Sequence, residues 1–376
     1  MPDMSEKSER NYGVAAPSFG DQIAAPELPY QPRDPKQYNP HIGLIACGGI
    51  TKDHLMAYRA AGYRVVALCD PVQHRARQRK TEFYPEAKVY RDHHDLLKRA
   101  DVEVVDLAAH PSERATMIED ALLAGKHVLS QKPFVLDLDF GRRMVELADR
   151  QGVRLAVNQN GRWAPHFSYI REAIRAGVIG EVMAVHASVH WDHSWVAGTV
   201  FEKIHHLILY DFAVHWFDIL QCFLGGRPAR RVYASTARSP VQQVEPPLLA
   251  QALIEYDGAQ ASLAFDAHTR HGAQDRTYVA GSDGTIISRG PDLKRQRVTV
   301  YTSQGRATPE LEGCWFPDGF HGTMGELLCA IEEDREPANG ARENLDSLAL
   351  CFAAIASAER HEPVIPGTVR AMPGES

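Results

Sequence analysis

The chain has 376 residues, of which 44% are hydrophobic and 24% are charged, and its formal net charge is −7. This length is too great for one ordinary hydrophobic core and predicts two domains. The acidic balance argues against a nucleic-acid surface, which requires a basic field. No apolar run reaches about 18 residues, which argues against a membrane span.

The N-terminal residues 1–39 show neither helical nor strand periodicity. We expect an arm that is disordered alone or ordered against the domain surface or a partner. The arm has mixed charge and no apolar segment, so no secretory signal is expected. The six cysteines are scattered and form no Cys-x-x-Cys pair, which favours free thiols in a cytoplasmic protein over a disulfide framework.

Short apolar runs alternate with helical segments in residues 40–161. Strands are predicted at 42–46, 64–70, 87–90, 102–108, 126–130 and 155–158, and helices between them at about 51–62, 72–83, 92–99, 112–124 and 138–151. Strand–helix alternation of this kind is typical of an α/β domain built on a parallel, doubly wound sheet.

Longer alternating runs follow a helix at 165–176, and residues 162–376 are predicted to form a second domain. Its strands are expected at 182–190, 231–236, 251–256, 261–266, 276–280, 285–288 and 297–302. Asp257-Gly258 and Asp283-Gly284 are tight-turn signals between consecutive strands. The pattern predicts an α+β domain with a large, open, mostly antiparallel sheet, one face of which is covered by helices at about 207–224, 322–334 and 343–358.

A glycine-bearing turn follows the first predicted strand. It includes Ala46, Gly48, Gly49 and Ile50, with small residues at two positions where a dinucleotide-binding turn usually has glycine. In such a fold the turn lets the backbone approach a pyrophosphate that rests on the N-terminus of the following helix. The turn alone is a weak signal, and an ordinary structural turn is the alternative.

An acidic residue, Asp70, ends the second predicted strand and strengthens the case for a dinucleotide site. Its carboxylate can accept hydrogen bonds from a ribose hydroxyl pair and would repel a 2′-phosphate, which favours NAD over NADP. Arg75, Arg77 and Arg79 lie nearby and leave NADP as the less favoured alternative, since an arginine could reach a phosphate.

Three polar residues further along the chain are candidates for a reactive site. Lys132 follows the fifth predicted strand, at the sheet edge where open α/β folds bind ligands. Asp211 and His215 are four residues apart on a predicted helix and share one face, although such a pair is often structural. Oxidation of an alcohol requires a nicotinamide, a base near the hydroxyl and a cation beside the oxygen. Asp218 could orient the His215 imidazole, or it could be an ordinary polar residue on a solvent-exposed face of the helix.

Several histidines crowd the same part of the sequence, namely His186, His190, His193, His205 and His206. They could bind a divalent metal with a neighbouring carboxylate, hydrogen-bond a polyhydroxylated ligand, or be satisfied polar groups below a pocket. The 186/190 pair lies on a strand, where its spacing is poor geometry for a shared ion. No metal is therefore predicted.

Four motifs carry a family resemblance: Ile42–Ile50, Val66–Pro71, Ala124–Pro133 and Asp211-x-x-x-His215. Over about residues 40–360 the chain resembles the oxidoreductase family named for glucose–fructose oxidoreductase, inositol dehydrogenase and a rhizopine catabolism protein. The resemblance implies a Rossmann domain, a second domain with a large open sheet, and a homo-oligomer, a dimer or tetramer, packed through that sheet. It also implies that a sugar or polyol is the substrate and that Lys132, Asp211 and His215 are catalytic, with His215 as acid/base.

The predicted site residues can now be stated together. The cofactor contacts are Ala46, Gly48, Gly49, Ile50, Asp70, Pro111 and Lys132; the substrate contacts are Lys132, Arg162, His190, His205, Asp211 and His215. The chain departs from the usual family pattern at Gln131, where glutamate is common, at Pro111–Arg114, at His205–Leu207 and at Ala213. These departures bear on the substrate more than on the fold.

The sequence thus predicts an NAD-dependent sugar or polyol dehydrogenase. Two alternatives remain on the same fold. One is an NAD-dependent glycosidase or lyase that oxidises the sugar transiently and returns the hydride. The other is a non-catalytic protein that senses NAD or sugar.

Overall fold

The computed structural model describes residues 20–373, and its first sheet has six parallel strands. They are β1 (His41–Ile45), β2 (Arg64–Cys69), β3 (Lys88–Tyr90), β4 (Val102–Leu107), β5 (His127–Gln131) and β6 (Leu155–Asn158). Their spatial order is β3-β2-β1-β4-β5-β6, the doubly wound order of a dinucleotide-binding fold. The predicted parallel α/β sheet is confirmed.

Five helices connect these strands, namely α1 (Thr51–Ala60), α2 (Gln73–Phe83), α3 (His93–Leu97), α4 (Pro111–Leu123) and α5 (Leu138–Gln151). The longest of them, α5, shows why the predicted bounds hold. Asp137 caps its start by accepting a hydrogen bond from the Phe140 N–H at 2.6 Å. Gly152 ends it with a φ of 65°, a left-handed conformation that glycine adopts without steric cost.

The second sheet has eight strands and begins after α6 (Pro165–Arg175). Its strands are β7 (Val182–His190), β8 (Ala229–Ala237), β9 (Leu249–Tyr256), β10 (Ala259–Asp266), β11 (Gln274–Gly281), β12 (Gly284–Gly290), β13 (Arg297–Thr302) and β14 (Gly305–Ala307). Their order is β14-β13-β12-β11-β7-β10-β9-β8. All neighbours are antiparallel except β7 and β10, so the predicted mostly antiparallel sheet is confirmed. Both Asp-Gly turns join antiparallel neighbours.

Two of the three helices predicted to cover this sheet do so. They are α7 (Val214–Phe223), which packs on β7, and α9 (Ala341–Arg360), which packs on β8. The other side of the sheet, which we call the open face, carries the alternate residues of each strand and remains partly exposed. Among the described residues, no helix is long and apolar enough to cross a membrane.

The third helix, α8 (Trp315–Glu332), does not cover the second sheet, and that expectation was wrong. It packs against α1 and the first sheet instead. Its fully buried residues Phe320 and Leu327 share one hydrophobic cluster with Ile42 and Leu44 of β1. The burial of this apolar surface fixes the position of α8, because a six-stranded sheet needs a cover on both faces.

The N-terminal segment lies against the body of the protein from residue 20 onward. The Ile23 N–H donates to the Arg306 carbonyl at 2.8 Å, beside β14. Further along, the Glu332 carboxylate at the end of α8 accepts the backbone N–H groups of residues 36–38 at 2.7–2.8 Å. Residues 1–19 of the predicted arm lie outside the described residues.

Candidate active site

The glycine turn between β1 and α1 has the geometry of a phosphate cradle. Ala46 has a φ of 67°, so it adopts the left-handed conformation that the usual glycine would take. A Cβ added to Gly48 or Gly49 would meet nothing within 4 Å, so the backbone there faces open space. Ile50 precedes α1 and supplies no side-chain cap, which leaves the helix N-terminus available to an anion. The residues present therefore fit a dinucleotide.

Asp70 and Arg79 hold this turn in place. The two carboxylate oxygens of Asp70 accept the N–H groups of Cys47 and Val72, each at 2.8 Å. Arg79 is buried behind the turn and donates to the Gly48 carbonyl at 3.0 Å. Of the three arginines predicted near the cofactor, Arg79 is thus committed to the turn, whereas Arg75 and Arg77 are exposed.

Lys132 meets Asp211 across the boundary between the two sheets. Its ammonium donates to the Asp211 carbonyl at 2.7 Å and to the Asp211 carboxylate at 3.1 Å. An ammonium has three N–H donors, so one remains for an oxygen atom in the cleft. Asp211 lies in a single π-helical turn, Ile208–Phe212, that precedes α7, and such turns are frequent at functional sites.

His215 lies one turn further on, in the first turn of α7, and only 8% of its surface is exposed. Burial lowers its pKa well below the usual value, and the Lys132 ammonium lowers that pKa further. Trp315 packs edge-on against the ring at 5.4 Å. Nδ1 is buried without a partner, which leaves Nε2 as the accessible ring nitrogen. The structure therefore brings together a cation, a carboxylate and a neutral imidazole.

A buried hydrogen-bond network supports Lys132 from behind. Gln131 accepts the Lys132 N–H at 2.7 Å through Oε1, and its Nε2 lies 3.0 Å from His54 Nε2. His54 Nδ1 in turn lies 2.7 Å from the Asp106 carboxylate, and Tyr58 donates to the same oxygen at 2.8 Å. The pattern is satisfied by a His54 ring protonated on Nδ1, because Nε2 then accepts from the glutamine amide. The Gln131 amide therefore supplies the hydrogen-bond donor that His54 Nε2 requires.

Arg114 supports the same segment from the other side. It is fully buried in α4 and donates to the carbonyl groups of Ala109 and Pro133. This role of Arg114 was not predicted from the sequence, where Pro111 was expected to contact the cofactor and Pro111–Arg114 departed from the usual family pattern. Pro111 itself is the first residue of α4, just beyond the carboxyl end of β4.

Arg162 and Asp218 form a buried ion pair rather than parts of the reactive site. Two guanidinium nitrogens of Arg162 donate to the two carboxylate oxygens of Asp218 at 2.6 and 2.7 Å. Asn344 and Ser347 of α9 also donate to that carboxylate. Arg162 is thereby committed within the core, which corrects its prediction as a substrate contact. Asp218 is equally committed, so it does not orient His215.

The remaining predicted substrate contacts, His190 and His205, are not gathered with Lys132. His190 lies on the open face, with Nδ1 2.6 Å from the Asp266 carboxylate, opposite the side on which α7 packs. This placement removes His190 from the predicted set. His205 is exposed in a separate groove of about 610 Å³ that Glu202 and Lys203 also line.

His193 is the histidine that the structure adds to the site. Its ring packs against Phe212 at a centroid distance of 4.4 Å, and it is only 8% exposed. Burial lowers its pKa to about 4, while the Asp211 charge acts in the opposite direction. The sequence already placed His193 in the histidine-rich segment. It lies beyond the predicted strand 182–190, so no periodicity indicated the direction of its side chain.

The predicted histidine group does not assemble into a metal centre in the described part of the chain. His186 bonds to Ser262 at 2.7 Å on the open face, and His206 bonds to Glu359 at 2.8 Å. Within residues 20–373, the one set of three His, Cys or acidic side chains close enough to share an ion lies elsewhere, at Asp92–His94. That set is at the solvent-exposed start of α3.

Comparison with known proteins agrees with this fold. The sequence profile of the oxidoreductase family with an NAD-binding Rossmann fold matches residues 41–159, and that of the GFO/IDH/MocA C-terminal domain matches residues 167–287. The chain therefore belongs to the GFO/IDH/MocA family of NAD-binding oxidoreductases.

Curated relatives in this family are sugar and polyol dehydrogenases. A D-apiose dehydrogenase from Paraburkholderia graminis is 27% identical over 85% of this chain and 88% of its own length. An inositol 2-dehydrogenase from Salmonella typhimurium is 31% identical over 48% of this chain and 54% of its own length. A solved oxidoreductase from Agrobacterium radiobacter, in complex with NAD⁺, L-tartaric acid and magnesium, is 22% identical, covers 88% of this chain and 99% of its own, and has a TM-score of 0.78. This last likeness shows the fold.

Proposed function

We propose that this protein is an NAD-dependent dehydrogenase that oxidises a secondary hydroxyl of a sugar or polyol. The observation that carries the proposal is the Lys132 ammonium, fixed on Asp211 beside the neutral imidazole of His215. The relatives named above act on polyhydroxylated substrates, which supports this substrate class.

The proposed roles follow from the chemistry of each side chain. His215 accepts the hydroxyl proton at Nε2, because burial and the adjacent cation keep its ring neutral. Lys132 donates its third N–H to the substrate oxygen and stabilises the alkoxide as the proton departs. Asp211 holds Lys132 in place and can accept a neighbouring hydroxyl. The glycine turn at Gly48 and Gly49, with Asp70, would hold NAD, whose nicotinamide would supply the hydride acceptor for the carbinol carbon.

The choice of NAD over NADP rests on Asp70. Its carboxylate, at the end of β2, would lie where a 2′-phosphate adds two negative charges. We therefore expect NAD(H) to bind more tightly than NADP(H), by about 1–3 kcal/mol. Isothermal titration with both cofactors measures the difference. Equal affinities, or tighter binding of NADP(H), would instead implicate the exposed Arg75 or Arg77.

A screen of sugars and polyols, followed by NADH absorbance, tests the proposed reaction. A dehydrogenase forms one NADH for each substrate molecule consumed. A glycosidase or lyase that returns the hydride would consume substrate without net NADH. A sensing protein would bind NAD and sugar and turn over neither.

We also propose that the chain forms a homo-oligomer, a dimer or tetramer, through the open face of the second sheet. Two large apolar side chains, Tyr233 of β8 and Leu253 of β9, lie directly opposite each other there and are 42% and 60% exposed. Exposed apolar pairs of this kind mark interaction surfaces.

The six cysteines are unpaired, which supports the proposal of a cytoplasmic protein.

Leu253→Glu is expected to dissociate this oligomer, because it places a charge within an apolar contact. Light scattering coupled to size exclusion should report the mass of one chain for the variant and a multiple for the parent. Gln151→Glu, at the exposed end of α5 in the first domain, provides a control for added charge. An unchanged mass for Leu253→Glu would show that another surface joins the subunits.

A further inference from the structure

Two side-chain amides face one nitrogen of the buried His54 ring. Nε2 of the ring lies 3.0 Å from Gln131 Nε2 and 3.3 Å from Asn158 Nδ2. Amide nitrogens only donate hydrogen bonds, so the ring nitrogen between them accepts. The ring therefore carries its proton on Nδ1, which lies 2.7 Å from the Asp106 carboxylate. His54 and Asp106 are both 0% exposed, so bulk solvent does not compete for these bonds.

The Gln131 amide cannot be reversed without the loss of a hydrogen bond. Its Oε1 accepts the Lys132 N–H at 2.7 Å, while Asn158 Oδ1 accepts the Thr323 hydroxyl at 2.9 Å. A reversed Gln131 amide would set its NH₂ group against the Lys132 N–H and leave that N–H unpaired. The Phe320 ring packs on the imidazole from α8, at a centroid distance of 4.4 Å. The position of the imidazole proton thus decides whether Gln131 can hold Lys132.

The placement of the Lys132 ammonium depends on this backbone contact. The side chain extends from the segment held by Gln131 to the carbonyl and carboxylate of Asp211. His54 is fully buried, so it does not reach a substrate in the cleft and can affect the reaction only through Gln131.

We propose that His54 and Asp106 are positioning residues for Lys132. Asp106 holds the proton on Nδ1, Nε2 then accepts from Gln131, and the oriented amide fixes the Lys132 N–H. The effect on catalysis rests on the proposed function, whereas the position of the ammonium can be measured without a substrate. The requirement at position 106 is a hydrogen-bond acceptor rather than a charge.

Three variants of the full chain test these contacts by the rate of NADH formation in single turnovers. Asp106→Leu removes the acceptor and Gln131→Met removes the amide. Each should lower the rate by at least about tenfold, since a misplacement of about 1 Å can cost about 10²-fold. Asp106→Asn keeps an oxygen for the Nδ1 proton and should retain most of the parent's rate.

Gln131→Glu provides a second-site test of the proton position. In the Asp106→Leu chain the ring can carry its proton on Nε2 and donate to the new carboxylate, whose other oxygen still accepts the Lys132 N–H. Gln131→Glu should therefore raise the rate of that variant, whereas it should not raise the rate of the parent. A role for position 106 in filling space alone predicts no such rescue.

Acetylation of Lys132 by acetic anhydride, followed by mass spectrometry, reports the position of the ammonium without a substrate. In the parent the side chain is 18% exposed and held on Asp211, so its labelling should be slow relative to that of the exposed Lys98. Asp106→Leu and Gln131→Met should accelerate the labelling of Lys132, and Asp106→Asn should not.

Ser357→Ala is the control for lost buried hydrogen bonds, because this α9 hydroxyl accepts the Ala234 N–H of the second sheet. It should not accelerate Lys132 labelling. The proposal is overturned if Asp106→Leu and Gln131→Met both leave Lys132 labelling, or the rate of an active parent, unchanged. It is also overturned if Asp106→Asn behaves as Asp106→Leu does, or if Ser357→Ala exposes Lys132 equally. A parent that oxidises no sugar but shows the expected labelling would refute the proposed function and not the positioning of Lys132.

Discussion

His215→Ala is expected to lower kcat by at least about 10²-fold, the range that a general base contributes. The imidazole is buried and held neutral beside Lys132, so its removal takes away the group that accepts the hydroxyl proton. Affinity for NAD should remain nearly that of the parent, because the ring is not part of the glycine turn. Single-turnover kinetics and NAD titration measure the two effects separately. A nearly normal kcat in His215→Ala would indicate that the general base is His193, the other buried histidine beside Asp211.

The pH profile provides a second check on His215. A base whose pKa lies below its ordinary value stays unprotonated as the pH falls, so kcat should persist below the usual histidine range. Activity that decays already near pH 6.5, the reference histidine pKa, would contradict a neutral buried base.

Lys132→Ala should reduce kcat by at least the same factor of about 10². A loss of NAD affinity without a loss of kcat would make Lys132 a cofactor contact instead. Added chelator should leave turnover unchanged, because an ammonium and an imidazole already supply the cation and the base. Turnover that is abolished by chelation and restored by metal alone would refute this mechanism.

Asp218→Ala is expected to destabilise the protein by about 3–5 kcal/mol, the cost of leaving a buried charge without its partner. Arg162 is 4% exposed and Asp218 is 1% exposed, and the carboxylate also accepts bonds from α9. The loss of these bonds should separate α7 from α9. Urea unfolding followed by circular dichroism measures the change.

Asp101→Ala is the matched control, because Arg99 and Asp101 form a two-bond ion pair at the surface, at 2.9 and 2.6 Å. Exposed pairs contribute at most about 1 kcal/mol. Comparable losses in the two variants would mean that burial does not set the strength of the Arg162 pair.

The first sheet could be predicted almost to the residue, because parallel strands covered on both faces are short, continuous apolar runs. The interval 155–158 matches β6, and 138–151 matches α5. The strand β14 was missed, since its three residues Gly305–Ala307 are too few for a period to show. The assignment of α8 to the wrong sheet also reflects a limit of local patterns. The spacing of apolar residues predicts that one helix face is buried, but it does not indicate which sheet covers that face.

The candidate catalytic residues were predictable in part. The spacing of Asp211 and His215 placed them on one helix, and the structure brings both to Lys132. The supporting residues were not predictable, because His54 and Asp106 are far apart in sequence and each resembles an ordinary polar residue. Arg162 illustrates the opposite error, since a buried arginine and a substrate-binding arginine have the same sequence signature.

The position of α8 has a consequence for how the protein is made. The apolar face of the first sheet, around Ile42 and Leu44, is completed by Phe320 and Leu327, far along the chain. During synthesis that face is therefore without its cover until about residue 332 has left the ribosome. At about 5–20 residues per second, the interval after residue 161 is roughly ten to thirty seconds. The nascent first sheet is thus a natural client for a chaperone over that period.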